Sequence, residues 1–134
     1  NVLVFHSEVQ VWKRKMVPGS REMKEAAKAW IRPMEATGTT NIYGALETAF
    51  SLVGMGAGDE NYDLAADTIY LLSDGAPTNE DLTDDDPDRI LRAVREWNRL
   101  GRMKIHTIGL KGHSATFMRT LAKENGGTYL SREK

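Results

Sequence analysis

The chain has no cysteine in its 134 residues. That excludes disulfide staples and thiolate metal sites, and it leaves the compartment undecided. An excess of charge is equally lacking. Eighteen Lys and Arg stand against 19 Asp and Glu, for a net charge of -1, so no global field draws the chain to nucleic acid or to an anionic membrane. No apolar run approaches the ~20 residues that a membrane span requires, and no signal-peptide pattern is visible. What remains is an ordinary globular balance, 40% hydrophobic and 28% charged, at a length that suits one domain with one core over 1–134.

The segment that organises the rest runs from Asp67 to Asn79. Ile69 to Leu72 is a short uncharged apolar run that ends in Ser73-Asp74-Gly75, which predicts a fully buried strand closed by a turn. Asp74 then stands at the carboxyl end of that strand. In open α/β sheets ligands bind outside those ends. A carboxylate there either binds something or caps the turn by accepting backbone N–H groups, and the local sequence does not separate the two roles.

Taken in order, Asn1 to Phe5 is a continuous apolar run that predicts a buried strand. His6-Ser7-Glu8 is a tight turn, and Val9 to Lys13 alternates apolar and polar as a half-buried edge strand does. Lys13-Arg14-Lys15 blunts that edge and is too short for a nucleic-acid patch. The chain begins at Asn1 within strand-like sequence, from which we expect material upstream of it.

Ser20 is the expected N-cap of a helix whose apolar face carries Met23, Ala26, Ala27, Trp30, Ile31 and Met34. Pro33 should end or kink it at Arg32. The turn from Thr37 to Asn41 leads into a second helix with Ile42, Ala45, Leu46, Ala49, Phe50 and Val53 on one face, and with Thr39 or Thr40 as its cap. Gly44 inside that helix costs roughly 1 kcal/mol against Ala, which close approach of a neighbouring element would explain. The Gly-rich segment 54–58 follows a helix, whereas a dinucleotide fingerprint follows a strand, so it is read as a loop.

The acidic stretch 80–88 invites a calcium-loop reading. Counted from Asp84, however, the places that need Gly and Glu hold Arg89 and Arg95. It reads instead as a helix start, with Asp86 as N-cap and Pro87 at the first helical position. Ile90, Leu91, Val94 and Trp97 form that helix's buried face, and Gly101 ends it. Lys104 to Leu110 is a strand in which His106 is expected to be packed and hydrogen-bonded. Ser114 caps a last helix bearing Phe117, Met118, Leu121 and Ala122. Gly126-Gly127 stops it before a short strand at Thr128 to Leu130.

After the opening hairpin the order is helix, helix, strand, helix, strand, helix, strand. Alternation of this kind implies crossover connections: an α/β fold of three layers, a mostly parallel sheet with one antiparallel edge strand and helices on both faces, Rossmann-like. Following chain direction puts the turns at Thr40 and Asp74 at the same end of the sheet, together with His6 and Ser7.

Three segments, Gly38-Thr-Thr-Asn-Ile-Tyr-Gly-Ala-Leu46, Ile69-Tyr-Leu-Leu-Ser-Asp-Gly-Ala-Pro-Thr78 and Ile105-His-Thr-Ile-Gly-Leu110, together resemble the von Willebrand factor A domain. The likeness runs in order through nearly the whole chain. In that family a metal-ion-dependent adhesion site at the top of the sheet holds a divalent ion, usually Mg2+, through oxygen donors. The resemblance implies that Thr40 and Asp74 are metal ligands and that a protein partner contributes a carboxylate to the ion, with no nucleic acid or membrane span involved. Three further donors come from an Asp-Xaa-Ser-Xaa-Ser motif that occurs nowhere in these residues. The family's first strand, which is central in its sheet, its motif and its first helix would precede Asn1. The resemblance therefore implies a partial domain, about its C-terminal two-thirds, with weak metal binding by this chain alone. A missing N-terminal segment or a domain-swapped oligomer would complete it. Two other readings compete: a metal-assisted hydrolase using Asp74 with His6 or His106, and a structural remnant whose rim residues only cap helices.

Overall fold

The structure is a computed structural model, and it describes residues 1–35, 38–53, 66–78, 86–100 and 102–132. The loop expected at 54–58, the acidic stretch 80–85, and Thr37 and Gly101 lie outside the described residues.

Among the described residues nine elements follow one another: β1 (Leu3–Phe5), β2 (Val9–Val11), α1 (Arg21–Ile31), α2 (Ile42–Val53), β3 (Thr68–Ser73), α3 (Pro87–Trp97), β4 (Lys104–Leu110), α4 (Ala115–Glu124) and β5 (Tyr129–Arg132). The order is the one that the periodicity predicts, and the class is α/β. The strands form two sheets. β1 and β2 make an antiparallel hairpin, with Leu3 opposite Val11 and Phe5 opposite Val9. β3, β4 and β5 make a parallel sheet in that order, with Leu72 beside Ile108 and Ile108 beside Leu130.

The core is built from one face each of α2, α3 and α4 against β3 and β4. Ile42, Leu46 and Phe50 of α2, Ile90 and Val94 of α3, Ile105 of β4 and Met118 and Leu121 of α4 are almost wholly buried. Each such side chain contributes about 1.5–3 kcal/mol on leaving water. Trp97 closes one side of the cluster, edge-on to Tyr43 at 5.3 Å and tilted on Phe50 at 5.7 Å. Thr107, the one polar side chain of β4 in this core, donates to Met118 O at 2.8 Å.

Several helix ends form as their sequences direct. Ser20 Oγ accepts from Met23 N, and Asp86 accepts from Asp88 N with Pro87 in the first turn. α1 stops at Ile31, before Pro33.

Four expectations need correction. Ile69 to Leu72 is not fully buried: Leu71 faces the core, while Tyr70 is 66% and Leu72 51% exposed. The strand alternates because the described helices of the core cover only the Leu71 side. β1 is half-buried rather than buried, and among the described residues β2 is its one strand neighbour. The α1 stripe is not a core face: Ala27 alone is buried, Met23, Trp30 and Met34 are half-buried, and Ile31 is exposed. Ser114 holds the N-cap position of α4 without a side-chain cap bond.

Candidate functional site

The two turns singled out by the sequence meet at the carboxyl ends of β1 and β3. The turn at 38–41 bonds to both. On one side, Asn41 N donates to His6 O at 3.0 Å, Asn41 Nδ2 donates to Ser7 O at 3.2 Å, and Thr39 Oγ1 donates to Ser7 Oγ at 3.1 Å. On the other, Thr40 N donates to Thr78 Oγ1 at 2.8 Å and Thr78 N returns a bond to Thr40 O at 3.0 Å. Each strand end is thus tied to the start of α2. A cleft opens between them, bordered by His6, Thr39, Thr40, Ser73 and Asp74.

The contact between the turns is close. A Cβ on Gly75 would lie 2.5 Å from Thr40 Oγ1, so only glycine lets the Thr40 hydroxyl approach the Asp74 turn. A third loop joins them from the end of β4. Gly112 has φ +102°, and a Cβ there would meet Asp74 O at 2.6 Å. Both the conformation and the space require glycine.

One capping assignment changes and one open choice closes, and both bear on the site. The cap of α2 is Asn41, not Thr39 or Thr40. Asn41 Oδ1 accepts from Gly44 N at 2.8 Å, while Thr40 contributes only its backbone oxygen, to Ile42 N. The side-chain amide of Asn41 also occupies the space where a Cβ of residue 44 would go, so Gly44 is explained by its own helix cap and not by a neighbouring element. Likewise the turn after β3 is held by Ser73, not by Asp74. The buried Ser73 Oγ accepts from Gly75 N at 3.3 Å and donates to Gly75 O at 3.2 Å.

Among the described residues, neither the Thr40 hydroxyl nor the Asp74 carboxylate has a hydrogen-bond or ion-pair partner. Asp74 is exposed and Thr40 half-exposed. Their chemistry is that of hard oxygen donors, the type that Mg2+ or Ca2+ takes. They fit such an ion in kind but not in number. Among the described residues no group of three or more His, Asp or Glu side chains could hold a metal.

The histidines are otherwise engaged. His6 is on the rim, where its Nδ1 accepts from Glu8 N at 3.4 Å. His106 pairs with Thr128 Oγ1 at 2.8 Å and stacks on Tyr70 at 4.9 Å. By strand register it is level with Tyr70, four residues and roughly 13 Å below Asp74. His113 was not singled out by sequence; its two ring nitrogens bond Leu110 O and Tyr129 OH, each at 2.6 Å, and it locks the β4–α4 turn to β5.

Comparison with known proteins identifies the family. The chain is 32% identical over 129 residues to inter-alpha-trypsin inhibitor heavy chain H4 of Homo sapiens, covering 95% of this chain and 13% of that protein. It is 29% identical over 130 residues to heavy chain H1 of Mesocricetus auratus, covering 95% and 14%. It is 30% identical over 132 residues to von Willebrand factor A domain-containing protein 3A of Homo sapiens, covering 96% and 10%. The chain therefore spans about a seventh or less of the length of these relatives. The family profile of the von Willebrand factor type A domain matches residues 1–130. The chain belongs to the von Willebrand factor type A domain family.

Proposed function

We propose that the chain is a protein-interaction module whose contact point is the rim formed by Thr40 and Asp74, where a divalent cation, Mg2+ in the first instance, bridges to a carboxylate of the partner. The observation that carries this reading is the division of labour at the rim. The structural tasks fall to Asn41 and Ser73. Thr40 and Asp74, brought together from two loops, are left with unpartnered oxygens among the described residues.

Two protein oxygens are fewer than the six ligands that Mg2+ takes, and the others would be waters, the partner, or donors from a further segment or a second copy. Binding by this chain alone is accordingly weak. No catalytic role is assigned, because neither His6 nor His106 is paired with Asp74 among the described residues.

Paramagnetic Mn2+ supplies the test. Sub-stoichiometric Mn2+ should broaden the amide resonances of 38–41 and 73–78 selectively, and Asp74→Ala should abolish that selectivity while the spectrum elsewhere is unchanged. Uniform broadening, or the same pattern in the variant, refutes the rim as a metal site. Micromolar affinity would show that the donor set exceeds these two residues.

A further inference from the structure

Of the asparagines in the chain, one, Asn125, is followed by glycine. In an Asn-Gly pair the backbone nitrogen reaches the preceding side chain with least hindrance, because the residue that carries it has no Cβ. The reaction open to such a pair is deamidation. Gly126 N bonds to Asn125 Cγ as the Cγ–Nδ2 bond breaks, and ammonia leaves with the amide proton of Gly126. Water then opens the cyclic imide at either carbonyl. The net change is amide and water to acid and ammonia. The product is aspartate or isoaspartate, the latter with one more methylene in the main chain.

The fold holds the pair away from that reaction. Asn125 follows α4 with ψ 25°, which turns its Cβ almost opposite to Gly126 N, whereas ring closure needs the two eclipsed. Both ends of the side-chain amide are engaged. Nδ2 donates to Leu121 O at 2.8 Å, and Oδ1 accepts from Asn98 Nδ2 at 2.7 Å. Asn98 in turn bonds Met103 in both directions, accepting from its N at 3.0 Å and donating to its O at 2.8 Å. Beyond the side chain, Asn125 O accepts from Ile105 N at 3.3 Å. Gly127 lies so close to Ile105 O that a Cβ on it would overlap that oxygen.

We propose that Asn125 is a covalent modification site gated by the fold: it deamidates when the junction between α4 and β5 opens, and the product keeps that junction open. The second half follows from the contacts. An ionised acid at position 125 has no proton to give Leu121 O, and it sets a negative charge against that carbonyl. Isoaspartate lengthens the main chain where Gly127 leaves no room beside Ile105. Opening is thus reversible before the reaction and not after it. Ile105 is level with Ile69, five residues before Asp74, so the junction lies at the other end of the sheet from the rim and owes nothing to the metal reading.

The test is incubation in mildly alkaline buffer, once folded and once in concentrated urea, read by peptide mapping and mass spectrometry. In urea Asn125 should be converted faster than any other asparagine. In the folded chain its conversion should be slower by about tenfold or more, since only the open form reacts. Gly126→Ala should suppress conversion in urea, where folding plays no part. Modified chain, separated from its parent by ion exchange, should exchange the amides of 103–105 and 121–127 about tenfold faster or more. The proposal is overturned by equal rates in the folded and unfolded chain, by faster conversion of another asparagine in urea, or by undiminished conversion in Gly126→Ala. It is overturned too if the modified chain keeps its parent's exchange at 121–127.

Discussion

Ser73 and Asp74 are adjacent, and the fold uses them in opposite ways. Ser73 is buried and closes its turn through Gly75, while Asp74 is exposed and bonds to nothing else among the described residues. Asp74→Ala should therefore leave the unfolding free energy within about 0.5 kcal/mol of the parent. Ser73→Ala should lower it by about 1 kcal/mol, and urea unfolding distinguishes the two. A parallel contrast holds in the other turn, where Asn41→Ala should cost about 1 kcal/mol as a lost cap and Thr40→Ser next to nothing. Gly112→Ala combines a positive φ with a clash against Asp74 O, and a loss of about 1–3 kcal/mol is expected. Chain direction made it legible that the turns at Thr40 and Asp74 share one end of the sheet, where the structure brings them together. Which of two neighbouring oxygens does the capping was not legible. That depends on rotamers and on distances of a few tenths of an ångström, and neither leaves a trace in spacing.

Helices that look alike in sequence differ in what they cover. α4 puts Phe117, Met118, Leu121 and Ala122 into the core, whereas α1, with an equally regular stripe, buries Ala27 alone. Leu121→Ala should cost about 2–5 kcal/mol through the cavity it leaves. Ile31→Ala should cost under about 1 kcal/mol, since Ile31 is already 40% exposed. Chemical denaturation of both variants checks the pair, and native-state hydrogen exchange should find α1 opening at lower free energy than α4. Element order and type were readable, because Ser20, Asp86 and Pro87 punctuate the chain and the 3.6-residue period is strong in α1 and α3. The burial of β1 and β3 was misread for a definite reason. A run of apolar residues records what a strand is suited to touch, not what the described elements bring against it.

At the level of the whole molecule, an apolar face is left open. Leu72, Ile108 and Leu130 lie side by side across β3, β4 and β5, with Tyr70 and Leu110 beyond them, and four of these five are exposed. Contiguous apolar surface of this kind, on a chain whose net charge is only -1, favours association. Leu72→Lys together with Leu130→Lys should reduce binding of an apolar dye and raise the concentration at which the chain precipitates, with the thermal midpoint unchanged within about 2 °C. Dye fluorescence and light scattering measure both. A fall in the midpoint would mean that the face is packed in solution.

The turn at 38–41, which bonds Thr78 through Thr40 N and His6 O through Asn41 N, acts as a clasp between the hairpin and the parallel sheet, alongside the packing of Phe5 on the core. Whatever moves the hairpin against the parallel sheet strains that clasp, and with it the position of the Thr40 hydroxyl. Hairpin placement and rim shape are therefore a single mechanical coordinate: a shift at the seam is felt at the summit.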